Sequence, residues 1–313
     1  MEKPTIGRLL AWGKKELKST ALRTPALDAE VLLMEALKAD RLVLHVYPER
    51  EVAKEQAETY RAWVRRRKDQ EPLQYITGKK EFMGLDFYVE KGVLIPRGDT
   101  EVVVEAAIEE LTALGGVNSL SGEESGREKE TGRKAPSPGG LRALDIGVGS
   151  GAIAVSLLYY IKNLSMVGID PSKTALKVTA VNGDKHGVSD RLTLLSGSLF
   201  EPVKASLPAD KQRFDLVISN PPYIPYDVKE SLDREVRDFE PEGALFADEA
   251  GLYYYREIAE RAPEYINKGG LLIFEIGYDQ GPGVQEIVRR AGFTEVRILQ
   301  DLEKRDRVVI GKR

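Results

Sequence analysis

The chain has 313 residues, 42% of them hydrophobic and 31% charged, which is enough for about two domains, or one large one, with a full hydrophobic core. Its 46 Lys and Arg against 50 Asp and Glu give a net charge of −4, the wrong sign for a protein that coats nucleic acid by charge alone. With no cysteine, disulfides, thiolate nucleophiles and cysteine-based zinc sites are excluded, and the only two histidines, His45 and His186, have no catalytic motif around them.

The first 18 residues are too polar for a signal peptide, and no apolar run of about 18 residues follows, so a cytoplasmic protein is expected. Residues 1–70 read as helices. Leu9, Leu10, Trp12 and Leu17 lie near helical spacing, and Leu27, Val31, Leu32, Met34 and Leu37 repeat it after Pro25. A third helix runs from Glu51 to Lys68 and ends on Arg65-Arg66-Arg67-Lys68. Those four cations have two readings: favourable charges at a helix C-terminus, or a contact for RNA or an acidic partner. From Gln74 to Ile95 the pattern changes to Phe82, Leu85, Phe87 and Val89 among glycines, which predicts a hairpin. Asp99 or Thr100 can cap a helix that runs to Leu114. Residues 115–140 are rich in glycine and charge with almost nothing to bury, and read as a mobile insertion.

Beyond it the chain alternates. Strands are expected at Leu141–Ile146, Ser165–Asp170, Leu192–Leu195, Phe214–Ser219 and Gly270–Ile276. Helices are expected at Ala152–Ile161, Ser172–Lys185, Leu252–Ile266 and Val284–Ala291. His186, in the polar run Asn182–Gly187, reads as a solvated residue at a helix end. Such alternation means an α/β, Rossmann-like sheet, mostly parallel and covered on both faces. The last two strands, Thr294–Leu299 and Arg307–Ile310, are too close for a helical crossover and should pair antiparallel. The expected organisation is thus a helical domain over 1–70, a hairpin linker over 71–95 and an α/β domain over 96–313.

Three motifs carry chemistry. Leu144-Asp-Ile-Gly-Val-Gly-Ser-Gly-Ala152 joins a strand to a helix. Gly147, Gly149 and Gly151 permit a tight turn and close approach of a ligand to the backbone, and the following helix offers free N–H groups. Asp170 ends the next strand, where an acidic side chain accepts hydrogen bonds from ribose hydroxyls. These two alone leave open whether the cofactor is a dinucleotide. Asn220-Pro221-Pro222-Tyr223, at the end of the strand Phe214–Ser219, decides it. The nitrogen of a planar amide or exocyclic amine is a poor nucleophile, because its lone pair is delocalised. Two acceptors gripping its N–H bonds hold it toward a methyl donor: the Asn220 side-chain carbonyl and the Pro221 main-chain carbonyl. Proline fixes φ and helps aim that carbonyl, and the ring of Tyr223 can pack on the flat group.

These residues resemble the class I S-adenosylmethionine-dependent methyltransferases. More narrowly, the chain resembles the HemK/PrmC family of release factor glutamine-N5 methyltransferases. The resemblance rests on Leu94-Ile-Pro-Arg-Gly-Asp-Thr-Glu101, Leu144–Ala154, Ser219–Ile224, Asp238-Phe-Glu-Pro-Glu242 and Gly269-Gly-Leu-Leu-Ile-Phe-Glu275, and runs from about residue 70 to the C-terminus. It implies N-terminal helices that grip the substrate, a hairpin linker and a seven-stranded catalytic sheet whose last strand is antiparallel. It implies S-adenosylmethionine held by Gly147, Val148, Gly149, Ser150 and Gly151, with its ribose on Asp170, Leu199 beside the adenine and Asn220 at the donor's edge. It implies a release factor's Gly-Gly-Gln loop as substrate, its glutamine amide held by Asn220, Pro221, Pro222 and Tyr223, with no membrane and no nucleic-acid substrate. Three positions depart from the family pattern: Ser198 where an acidic residue or Asn is usual, Gly98 where proline is usual, and the length of 115–140. The Asn-Pro-Pro-Tyr tetrapeptide is shared with adenine-N6 methyltransferases, which keeps DNA or RNA adenine as the alternative substrate. A non-catalytic cofactor-binding scaffold is the other rival, and the intact Asn220–Tyr223 argues against it.

Overall fold

The computed structural model describes residues 4–115 and 140–313. The expected insertion, 115–140, lies outside the described residues except for its two ends. The chain divides into two compact units. Met1–Lys79, Val89–Lys91 and Leu232–Phe239 form the first; Lys80–Tyr88, Gly92–Ser231 and Glu240–Arg313 form the second.

The first unit contains α1 (Ile6–Lys18), α2 (Pro25–Leu37), α3 (Arg41–Val46), α4 (Lys54–Lys68) and α5 (Leu73–Thr77). The chain later adds α10 (Arg234–Phe239) to the same unit. Thr5 caps α1 by accepting from the Arg8 N–H at 3.4 Å, Pro25 opens α2, and Asp40 caps α3 by accepting from the Val43 N–H at 3.0 Å. Leu9, Leu17, Leu32, Leu33, Tyr60 and Val64 are fully buried between the helices. The short helices α3 and α5 were not expected from the sequence, since neither is long enough to show a period.

The four cations ending α4 are largely used within the chain. Arg66 pairs with Glu71 at 2.6 Å and Lys68 with Glu16 at 2.7 Å. Arg67 is buried, donating from Nε to Asp28 at 2.7 Å and from its terminal nitrogen to Glu235 of α10 at 2.8 Å. The structure therefore favours intrachain pairing over a free basic contact for this run.

The hairpin of β1 (Lys79–Phe82) and β2 (Leu85–Tyr88) leads into the second unit, and Phe82, Leu85 and Phe87 are buried in that unit's core. There follow α6 (Asp99–Gly115), β3 (Leu141–Ile146), α7 (Ala152–Tyr160), β4 (Leu164–Asp170), α8 (Lys173–Lys185), β5 (Leu192–Ser196), α9 (Glu201–Ser206) and β6 (Phe214–Ser219). Next come β7 (Ile224–Pro225), β8 (Phe246–Ala247), the single turn α11 (Asp248–Gly251), α12 (Tyr253–Arg261), β9 (Ile266–Glu275), α13 (Gly281–Arg290), β10 (Thr294–Gln300) and β11 (Asp306–Lys312).

The main sheet has seven strands in the order β10-β11-β9-β6-β3-β4-β5. β9, β6, β3, β4 and β5 run parallel, while β11 is antiparallel to both β9 and β10. The last strand is therefore the antiparallel one, as expected. Runs such as Leu-Val-Ile in β6 and Leu-Leu-Ile-Phe in β9 are apolar on both sides because helices cover both faces. One core lies under α6 and α7, with Ala143, Leu216, Ile218 and Ile273; the other lies under α12 and α13, with Leu144, Val217, Leu272 and Phe274. From β3 the chain runs outward through β4 and β5, then returns to β6 on the other side. The strand order reverses between β3 and β6, and the crevice outside their C-terminal ends is where such sheets bind ligands.

Three local expectations are corrected. The helix expected to Ile266 stops at Arg261, because Pro263 cannot continue it, and β9 begins at Ile266. α6 already begins at Asp99, so Thr100 lies in its first turn, and neither residue stands outside it as a cap. His186 is half-buried, not solvated: the hairpin packs on it, with its Nε2 2.9 Å from the Asp86 carbonyl and its ring 5.4 Å from that of Phe87. Among the described residues, no helix is long and apolar enough to cross a membrane.

Candidate active site

A cavity of about 260 Å3 opens at the C-terminal ends of β3, β4 and β6. Gly147, Val148, Gly149 and Ser150 line it from the turn after β3. Backbone bonds fix that turn on β4: the N–H groups of Gly147 and Val148 donate to the Ile169 carbonyl at 2.8 and 3.0 Å. Gly147 and Gly149 have φ of 79° and 57°, and a Cβ on Gly147 would project into open space within the cavity. Glycine here is what leaves room for a ligand against the backbone. Buried Asn182 braces the turn from behind, donating to the carbonyls of Ser150 and Tyr88, both at 2.9 Å, and accepting from the Tyr88 N–H at 2.7 Å.

Asp170, at the end of β4, also lines the cavity. Its two oxygens accept the Gly149 N–H at 2.9 Å and the Ser172 N–H at 2.8 Å. Burial pushes its carboxyl above the usual range, and those two N–H groups pull it back down. Each oxygen keeps a second lone pair, so the carboxylate can still accept hydroxyl groups from the cavity. Asp145 of β3 lies nearby, fully buried. Desolvation and the neighbouring Asp170 push it up to about 8, the backbone at Ala154 moderates the shift, and neither oxygen has a close hydrogen-bond partner.

Leu199, with a φ of 51°, and Ser198 line the cavity beyond β5. Asn220, Pro221 and Pro222 line it beyond β6. Two of the expected site residues lie outside the lining. Gly151 instead precedes α7 in a left-handed conformation, against Thr179. Tyr223 packs on the core under α12, and its carbonyl accepts from Gln280 Nε2 at 3.1 Å. The Tyr223 hydroxyl is raised well above its ordinary range, first by burial and then by Glu275.

Several residues that shape the site were not singled out from the sequence. Glu240 is buried; it accepts from the Ile95 N–H at 3.3 Å and pairs with Arg97, joining two segments that both contribute to the lining. Thr100 lines the cavity and accepts from Asn220 Nδ2 at 3.4 Å. Glu275, 1% exposed at the end of β9, lies behind Asn220. Burial pushes it up to about 7; hydrogen bonds from Thr100 and Asn220 and the charge of Arg307 act in the opposite sense.

The donor set suits a nucleoside cofactor. An open glycine turn lies beside a buried carboxylate with spare acceptor sites, and Asn220 stands across the same cavity. Among the described residues no cluster of His, Cys, Asp and Glu could hold a metal ion.

Residues 8–78 match the PrmC N-terminal domain and residues 143–243 a methyltransferase domain. A release factor glutamine methyltransferase of Geobacter sulfurreducens is 41% identical over 314 residues, covering 99% of either chain. The protein of the same name from Clostridium botulinum is 36% identical over 302 residues, covering 96% of either chain. Among solved structures, the hMettl16 catalytic domain in complex with a MAT2A 3′UTR hairpin superposes with a TM-score of 0.50 at 14% identity, over 82% of this chain and 81% of that one, which is a likeness of fold alone. With this identity sustained over nearly the whole length, the chain belongs to the release factor glutamine methyltransferase family.

Proposed function

We propose that the protein transfers a methyl group from S-adenosylmethionine to the side-chain amide nitrogen of the glutamine in a release factor's Gly-Gly-Gln motif. One observation carries this most: Asn220, Pro221 and Pro222 share a single cavity with Gly147–Ser150 and Asp170, at the point where the strand order reverses. An acceptor built for a planar N–H group therefore faces a nucleoside site. Gly147, Val148, Gly149 and Ser150 would hold the amino-acid part of the cofactor, Asp170 its ribose, and Leu199 with Ser198 its adenine. When bound, the cofactor supplies an electrophilic methyl group on a sulfonium.

The chain's own residues act by positioning. The Asn220 side-chain carbonyl and the Pro221 main-chain carbonyl accept the two N–H bonds of the glutamine amide, so its nitrogen faces the donor. Pro222 walls the same end of the cavity. Tyr223 lies outside the described lining and packs on the core, so its ring is not proposed to stack on the amide. Methyl transfer to the neutral amide gives an N-methylated amide cation, which loses its proton readily to water or a nearby carbonyl, so no histidine base is needed. The helical unit over residues 1–70 is proposed to grip the body of the release factor. Its remote binding energy holds a poor nucleophile in place, which a free glutamine cannot do. The cytoplasm, where release factors act, is the proposed location.

The test offers labelled S-adenosylmethionine with intact release factor, DNA or RNA. Label confined to the release factor supports the assignment. Label on adenine, with the factor untouched, would replace it with the nucleic-acid rival.

A further inference from the structure

A side-chain amide can accept a hydrogen bond on one end only, so Asn220 works as proposed only with its NH2 turned away from the substrate. β6 and β9 run parallel with Ser219 opposite Phe274, which sets the next residues, Asn220 and Glu275, side by side at the strand ends. Thr100 reaches the same point from the first turn of α6. Asn220 Nδ2 donates to Thr100 Oγ1 at 3.4 Å, and the Glu275 carboxyl lies close enough to the side chains of Thr100 and Asn220 for both to favour its charged form. An ionised carboxylate only accepts. The Thr100 hydroxyl proton therefore points to Glu275, which leaves the hydroxyl's lone pairs for the Asn220 NH2. A flipped Asn220 would set its carbonyl oxygen against a buried carboxylate.

Resting on the function proposed above, we propose that Glu275 and Thr100 are positioning residues that lock the Asn220 amide with its carbonyl toward the substrate. Glu275 is not part of the cavity lining and acts only through Asn220 and Thr100. The second Glu275 oxygen has no hydrogen-bond partner, so the carboxylate is not held there by a structural salt bridge. Arg307 of β11 is engaged elsewhere, pairing with Asp99 at 3.0 Å and Asp301 at 3.1 Å, and it reaches Glu275 only through its charge. A buried acid serving stability alone would normally be paired.

The test measures methyl transfer to intact release factor at saturating cofactor and factor. Thr100→Val removes the hydroxyl at nearly constant volume, Thr100→Ser keeps it, and Glu275→Gln offers a donor that tolerates the wrong flip. Thr100→Val and Glu275→Gln should each lower kcat on the order of 10-fold, with affinity for S-adenosylhomocysteine within about 2-fold of wild type. Thr100→Ser should recover most of the rate. Three results would overturn the proposal: near-normal kcat in Thr100→Val, equal damage in Thr100→Ser and Thr100→Val, or a rate loss matched by lost cofactor affinity and melting temperature. Should Glu275→Gln fail to fold, the Thr100 pair still decides. A wild-type enzyme that leaves the factor unlabelled overturns the proposed function, and this inference with it. A labelling wild type with a fully active Thr100→Val overturns this inference alone.

Discussion

The two units differ in how completely they pair their buried charges. In the first, every buried charged side chain among the described residues is paired: Asp28 with Arg67, Arg67 also with Glu235, and Glu30 with Lys14 and Arg41. In the second, Glu240 pairs with Arg97 and Arg307 with Asp99 and Asp301, but Asp145 has no partner on either oxygen, Glu275 none on one, and Asp170 only two backbone N–H groups. The last three lie near the C-terminal ends of β3, β4 and β9. A unit that holds a shape satisfies its buried charges, because an unpaired one costs several kcal/mol. A unit that binds a polar ligand keeps acceptors in reserve. The difference separates scaffold from site without reference to any relative.

The sharpest way to break this contrast is to unpair a charge in the first unit. Arg67→Ala leaves Asp28 buried without its partner and should lower stability by about 3–5 kcal/mol in denaturant unfolding, with affinity for S-adenosylhomocysteine unchanged. A loss well under 1 kcal/mol would mean the triad is not structural. Next in size, Asn220→Ala removes one positioned acceptor and should cost on the order of 10²-fold in kcat, while calorimetry with S-adenosylhomocysteine shows nearly intact affinity. Smaller again, Asp170→Ala should weaken S-adenosylhomocysteine binding by about 1–3 kcal/mol, because a carboxylate's bond to a hydroxyl is charge-assisted. Unchanged affinity would remove Asp170 from the ribose role.

The last effect is on pH, and it runs in opposite directions for rate and stability. Burial pushes Glu275 up to about 7, and it is faced by Asp99 from α6, Arg307 from β11, Tyr223 after β6 and Tyr255 from α12. Below that value the protonated carboxyl can donate, the lock on Asn220 loosens, and kcat should fall with acidification. Glu275→Gln should flatten this limb. For stability, the folded-state values of Glu275 and Asp145 both lie above the ordinary carboxylate range, at about 7 and about 8. Their contribution is present at low pH and lost as pH rises through those values. The melting temperature of the free enzyme should therefore decline between about pH 4 and about pH 8. A melting temperature rising over that window would contradict the unpaired burial of both acids.

What could be read in the sequence was what is local. The glycine turn at 147–151, Asp170 and Asn220–Tyr223 are contiguous signals at strand ends, and most of the expected α/β elements lie where the structure has them. The supporting residues were not legible, because their partners are far away in sequence. Thr100 and Asn220 are 120 positions apart, so Thr100 read as no more than a helix cap. Asn182 read as a polar helix end, yet it is fully buried and ties the glycine turn to Tyr88, 94 positions away. Arg67 read as one of four cations at a helix terminus, and only the arrival of Asp28 and Glu235 shows it to be buried. Side-chain spacing reveals a period or a motif, but not which distant element comes to meet it.

The central claim is that the cavity methylates a glutamine amide held by Asn220. It is tested most directly by tandem mass spectrometry of an intact release factor after incubation with S-adenosylmethionine and either wild-type enzyme or Asn220→Ala. Wild-type enzyme should add one methyl group to the glutamine of Gly-Gly-Gln, and the variant almost none over the same time. A methyl group on any other residue, or equal labelling by the two enzymes, would contradict it.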